Sequence, residues 1–278
     1  MLKLRIITAL VLAPLVVWGV FSLPSFYFSL SVLIVVGLAS WEWAHLSGIT
    51  GTFSKIIYAT AAVASLVLLV WYLEINHNDF YILLYISILW WLYRVVRVLV
   101  FRTPSSATST AGQLSLATAL SCIVALVIPF YAIIYLRDTY SFHGYLFYLV
   151  MLIWSVDVFA YFFGKYLGKN KLAPHVSPGK TWEGVYGALV ATFFASVIGA
   201  FSFDFTLNEG VIFFALSFLV VVISIFGDLS ESLYKRQNAV KDSGNLLPGH
   251  GGMLDRVDSL SAAAPFYVTG LSVLGFLR

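Results

Sequence analysis

A single cysteine, Cys122, stands inside an apolar run, so the chain can close no intrachain disulfide and build no zinc site of the cysteine type. Charge is scarce as well: 10% of the 278 residues are Asp, Glu, Lys or Arg, and the net charge is only +3. The GxxxxGK(S/T) phosphate loop is missing, which removes the main support for an ATPase. No internal repeat or low-complexity tract stands out. No small-x-small cleavage site follows the first apolar stretch at Leu23, Pro24 and Ser25. That stretch, preceded by Lys3 and Arg5, therefore reads as a retained first span rather than a removed signal peptide.

What the chain has in excess is apolar surface. Hydrophobic residues make up 60% of it, against roughly 45–50% in soluble proteins, and the mean hydropathy is +0.92. Such a chain would aggregate in water. About 18–22 apolar residues cross the hydrocarbon as a helix, and runs of this kind lie near 6–22, 26–45, 56–73, 80–100, 114–136, 144–164, 185–203, 211–227 and 260–277. The expected fold is all-α: a polytopic membrane protein of about nine transmembrane helices, with 1–278 as one integral membrane domain. Within it, 1–136 would supply N-terminal helices, and 137–278 the catalytic helices and cytoplasmic loops.

Basic residues in short loops set orientation. With a cytoplasmic N-terminus, the outer face carries only Arg137 and Arg278 of the sixteen Lys and Arg residues. This places the N-terminus inside and the C-terminus outside. The Ser/Thr-rich segment 103–110 reads as a cytoplasmic loop without chemistry. Trp41, Trp43, Trp71, Trp90, Trp91 and Trp154 fall near span ends and read as an interfacial aromatic belt.

Against this background the segment Ser232 to Asp258, SLYKRQNAVKDSGNLLPGHGGMLDRVD, concentrates polar groups. Lys235, Arg236, Lys241 and Arg256 suit polyphosphate, and Asp242, Asp255 and Asp258 add carboxylates. Topology requires the cations but not the acids. Asp228, Glu231, Ser232 and Lys235 are spaced by three, four and seven, so they share one face if the segment is helical. The bland alternative is that Asp228 pairs in cis with Lys235 or Arg236. Asp255 and Asp258, three apart at the start of the last helix, also share a face, although the helix dipole alone favours acids there. Asp228 and Asp255 flank the loop from opposite ends and would converge on a divalent ion such as Mg2+, which takes one or two carboxylates plus phosphate oxygens. Gly249, Gly251 and Gly252 of the PGHGG turn expose backbone N–H groups. His250 would touch phosphate or base, or simply hydrogen-bond within the turn.

A second segment, Lys165 to Gly184, carries Lys165, Lys169, Lys171 and Lys180. Positive-inside bias accounts for lysines in general, but Ser177 and Thr181 around Lys180 form a set suited to phosphate. Thr181 would also cap the following helix, with Glu183 in its first turn. Asp157, Tyr161 and Gly164 share a face of the preceding span, and an intramembrane Asp157 is a functional candidate by default. Glu42, near His45, reads as half of a local interfacial pair.

These residues resemble a known family. The stretch GDLSESLYKRQNAVKDSGNLLPGHGGMLDRVDS is similar to the signature of the phosphatidate cytidylyltransferases, or CDP-diacylglycerol synthases: Ser-x-apolar-Lys-Arg, four residues, Lys-Asp, then Pro-x-His-Gly-Gly ending in Asp-Arg-x-Asp. SPGKTWEG (177–184) and Ser40-Trp41-Glu42-Trp43 extend the likeness over nearly the whole chain. Tyr234 departs conservatively from the usual aliphatic residue or Phe. The resemblance implies transfer of CMP from CTP to phosphatidate in phospholipid biosynthesis. It implies Asp228, Lys235, Lys241, Asp242 and Asp255 as catalytic residues. Ser177, Lys180, Thr181, Ser232, Arg236, His250, Gly251, Gly252 and Arg256 would bind substrate, and Asp228 and Asp255 would hold Mg2+. It further implies a second, monovalent cation (K+), a homodimer, and a bacterial inner-membrane location with the site facing the cytosol; nucleic acid is not an expected partner. A related polyprenol kinase would share basic loops but not the intact signature. An ion-coupled transporter would hold its charges nearer the midplane, often with internal repetition. The CDP-alcohol phosphotransferases are excluded because their DG-x2-AR motif is absent.

Overall fold

The apolar runs become helices because a backbone in lipid must satisfy its polar groups internally. In the computed structural model, residues 2–76, 79–101, 115–139, 143–238, 240, 242–244, 246 and 251–277 are described. The helices are α1 (Leu2–Ser22), α2 (Ser25–Leu46), α3 (Thr52–Ile75), α4 (Asp79–Val100), α5 (Leu116–Cys122), α6 (Ile128–Thr139), α7 (Gly144–Tyr166), α8 (Trp182–Ser202), α9 (Leu207–Gln237) and α10 (Leu254–Val273). Among the described residues seven segments are long and apolar enough to cross a bilayer: α2, α3, α4, the α5–α6 rod, α7, α8 and α9.

The α5–α6 rod is continuous through a π-helical turn, Ile123–Val127. Pro129 lies just beyond this turn; its ring clashes with the carbonyl four residues back, and a π-turn accommodates such a break. Ser87 of α4 donates its hydroxyl to the Val124 carbonyl at 2.8 Å. The rod is the most buried of the seven segments, with 78% of its apolar stretch lying inside the protein. The division expected between 136 and 137 falls within α6.

Three features differ from the sequence expectation. Residues 171–181, read as loop, form an antiparallel hairpin, β1 (Lys171–Ala173) with β2 (Ser177–Thr181), pairing Lys171 with Thr181 and Ala173 with Ser177. α9 runs ten residues past the expected end of its span at 227, while α10 begins at Leu254, where Asp255 was expected to open the last helix. The α9 extension carries charged residues, which apolarity alone could not assign to a helix. Finally, Trp43 and Trp91 are buried rather than at a lipid interface. Trp43 Nε1 donates to the Thr118 carbonyl at 2.8 Å, a tertiary contact that span position did not reveal.

The helices that carry the acids lie close together. A Cβ on Gly227 of α9 would fall 2.6 Å from the Ala262 Cβ of α10, so only glycine allows this crossing. Asp228 is thereby brought beside the first turns of α10.

Candidate active site

The expected shared face on α9 is present, because the helix continues unbroken to Gln237. Asp228 Oδ1 accepts the Ser232 hydroxyl at 3.3 Å, four residues on. Its other oxygen meets Lys180 Nζ at 2.7 Å, and Lys180 also donates to the Ile225 carbonyl at 3.3 Å. The partner of Asp228 thus comes from the hairpin. It is neither of the cis partners considered from sequence. Lys235 instead lies 3.2 Å from Glu231 and 2.6 Å from Asp255 Oδ1.

Asp255 joins α9 to the preceding loop. Its second oxygen accepts the backbone N–H groups of Gly252 at 2.9 Å and Ser243 at 3.2 Å. Gly251 adopts φ +78°, the left-handed conformation for which glycine suits this turn. Burial pushes the Asp255 carboxyl up, but its hydrogen bonds and the Lys235 ammonium outweigh that and hold it below the usual range. One turn on, burial and then the Asp228 charge push the Asp258 carboxyl up to about 7. Both oxygens of buried Glu231 accept no hydrogen bond of good geometry.

A cavity of about 480 Å3 opens beside Asp228, between α7, α8, α9 and the hairpin. Ser177, Lys180 and Thr181 line it together with Asp157, Tyr161 and Gly164 of the α7 face. Thr181 caps α8 as its spacing predicts, accepting the Gly184 N–H at 3.1 Å. Glu183 accepts the Asn170 backbone and side-chain amides, tying the hairpin base to α8. Arg236 donates to the Val176 carbonyl at 3.2 Å, so it braces the hairpin tip. Arg256 is exposed in the first turn of α10, and Asp242 is exposed in the loop. Lys241 and His250 lie outside the described residues. Asp228 faces the cavity, whereas Asp255 is turned to Lys235 and the loop backbone.

Sequence reasoning missed three contributors. Ser259 lines the cavity from α10. Arg94, to which the sequence reading gave no role beyond its place among the fourteen inner-face Lys and Arg residues, is buried in α4 and donates to the hydroxyl of Ser230 at 2.7 Å and to its carbonyl at 3.1 Å. Its guanidinium lies 3.7 Å from the Tyr234 ring centroid, which gives that aromatic residue a cation–π role. Glu42 does not pair with His45. It reaches across to Ser243, Met253 and Leu254, and its signal in the sequence was a lone carboxylate within an apolar helix.

The sequence profile described as the cytidylyltransferase family matches residues 3–274. The chain belongs to that family. A phosphatidate cytidylyltransferase of Pseudomonas aeruginosa is 40% identical over 277 residues, covering 99% of this chain and 99% of the relative. One of Haemophilus influenzae is 37% identical over 289 aligned positions, covering 96% and 97%. One of Bacillus subtilis is 37% identical over 178 residues, covering 63% of this chain and 64% of the relative. The match takes in both segments of the candidate site, 177–184 and 228–258.

Proposed function

We propose that the chain is a CTP:phosphatidate cytidylyltransferase of phospholipid biosynthesis, a multi-pass membrane enzyme that makes CDP-diacylglycerol and pyrophosphate. The observation that carries this is a cavity walled by apolar helices yet lined by Lys180, Asp228 and the hydroxyl residues Tyr161, Ser177, Thr181, Ser224 and Ser259. One substrate is a lipid and the other a polyanion, and this is where the two chemistries meet.

The lipid phosphate oxygen attacks the α-phosphorus of CTP; the bond from that phosphorus to the bridging β-phosphate oxygen breaks, and pyrophosphate leaves. No protein nucleophile is required, so the residues act by alignment and charge. Lys180, Ser177 and Thr181 would hold phosphate oxygens, and Lys180 would give up Asp228 to do so. Lys235, Arg236 and Lys241 would offset charge on the leaving group, with Asp242, His250, Arg256 and the Gly251–Gly252 backbone shaping the nucleotide side.

Among the described residues no three carboxylates gather into a cation site of their own, but a hard divalent cation takes only one or two carboxylates when phosphate oxygens complete its shell, and Asp228 at the cavity suits that role. Asp228 and Asp255 would hold Mg2+, which supplies charge neutralisation to the phosphates when bound. Glu231 offers oxygens for a monovalent ion such as K+. The same reading has nine spans, a cytoplasmic N-terminus, the site facing the cytosol of a bacterial inner membrane, and a homodimer.

The test is purified protein in detergent with phosphatidate, labelled CTP and Mg2+, with and without EDTA. The expected result is labelled CDP-diacylglycerol with pyrophosphate release, abolished by EDTA. A phosphorylated lipid formed together with CDP would overturn the reading in favour of a kinase.

A further inference from the structure

We propose that Glu42 is a positioning residue for the transfer site: a carboxylate of α2 that holds the start of α10 and the loop before it, and so sets where Asp255 stands. The proposal rests on the cytidylyltransferase reading above. Glu42 is 2% exposed within an otherwise apolar helix, where an ionisable group needs strong partners. Those partners are all hydrogen-bond donors from a segment two hundred residues away. Oε2 accepts the Ser243 hydroxyl and the Leu254 N–H, both at 2.8 Å, and Oε1 accepts the Met253 N–H at 3.0 Å.

The physical need is clear at the α10 N-terminus. The first N–H groups of a helix lack intrahelical acceptors and carry positive dipole charge. Met253, at the cap position, supplies no side-chain hydrogen bond. Glu42 fills that vacancy from another helix, with the sign of charge the dipole favours. A Cβ on either Gly244 or Gly252 would collide with its carboxylate, so the loop is built around it.

The consequence passes to the chemistry through one residue. Asp255 follows Leu254 directly, grips Ser243 and Gly252 through Oδ2, and meets Lys235 through Oδ1. Glu42 and Asp255 therefore hold the same loop from two sides. Glu42 touches neither the cavity lining nor Lys235, so it acts only through position.

The test compares wild type, Glu42→Gln, Glu42→Asp and Ser243→Ala as full chains in detergent. CDP-diacylglycerol formation is measured per monodisperse folded molecule, alongside the Mg2+ concentration for half-maximal rate and amide exchange at Met253 and Leu254. Gln presents a donor where all three partners donate, so Glu42→Gln should lower turnover on the order of a hundredfold, as an ångström-scale misplacement does. It should also raise the Mg2+ requirement and speed exchange at both amides. Glu42→Asp should recover part of the rate, and Ser243→Ala should lose severalfold. If Glu42→Gln does not fold, Ser243→Ala carries the test. Wild-type turnover and Mg2+ requirement per folded molecule in either variant would overturn the proposal alone. A wild-type protein that makes no CDP-diacylglycerol would instead bring down the underlying reading, and the proposal with it.

Discussion

Two regions bury charge, and they treat it differently. At one end of the bundle, Arg137 is 4% exposed and enclosed by acceptors: the Val20 and Leu23 carbonyls, the Ser25 hydroxyl at 3.2 Å and Asp138 at 2.9 Å, with the Phe28 ring 4.6 Å from its guanidinium. One cation meets a nearly complete set of partners, and the result staples the α1–α2 turn to α6. At the other end, buried Glu231 and Asp258 and half-buried Asp228 and Asp255 meet Lys180 and Lys235, with exposed Asp157 and Arg256 beside them. There the acids outnumber the cations, Glu231 has only the Lys235 ammonium, shared with Asp255, beside it, and a cavity adjoins. Buried charge that is satisfied stabilises a fold. Buried charge left short of partners is poised for a ligand.

That contrast is most exposed to Asp228→Asn and Asp255→Asn. Each keeps the size of the side chain and removes the charge a divalent ion needs, so turnover should fall on the order of a hundredfold or more. Asp255→Asn should also lower the melting temperature in detergent, because the Lys235 ion pair is lost, and Asp228→Asn should lower it less, because it also relieves the excess of acids. Near-normal turnover of both variants at limiting Mg2+ would mean that the ion is held elsewhere.

Arg137→Met should do the reverse. Removing a buried cation from its acceptors should cost about 3 kcal/mol of stability, read as a lower midpoint in thermal unfolding. CDP-diacylglycerol formation at low temperature should stay within about twofold of wild type. A large loss of turnover with unchanged stability would erase the distinction between the two regions.

The smallest effect is expected from Asp258→Asn. With its carboxyl raised to about 7 by burial and Asp228, the native protein binds a proton there that the unfolded chain has released above about pH 4. Stability from this group is therefore full at low pH and declines as pH rises toward 7. Asn resembles the protonated form, so the variant should show a flatter dependence of melting temperature on pH between about 4 and 7 in EDTA. Turnover should fall less than for Asp228→Asn. An unchanged pH profile would show that Asp258 is not the group under electrostatic strain.

Much of the active end was legible because helical spacing is a local property. Positions 228, 231, 232 and 235, and 255 with 258, follow from the 3.6-residue period once a helix is assumed. The Thr181 cap was equally local. The partners were not. Lys180 and Asp228 are 48 residues apart in sequence and meet only because the hairpin folds over α9. Trp43 and Trp91 looked interfacial by position along their helices, but burial depends on which neighbour covers each face.

Composition and periodicity by themselves determined that this chain is a helical membrane protein, since a 60% apolar sequence in runs of span length has no other way to satisfy its backbone in lipid. They also singled out the polar segments that come together beside the cavity, because charge is too costly in such a chain to be scattered freely. Only the tertiary structure decided which acid meets which cation, that Lys180 reaches Asp228 while Lys235 reaches Asp255, and that Glu42 of α2 caps α10. Those pairings depend on how close two helices can approach, and that is set by small residues at crossings such as Gly227 with Ala262, not by any pattern along one helix.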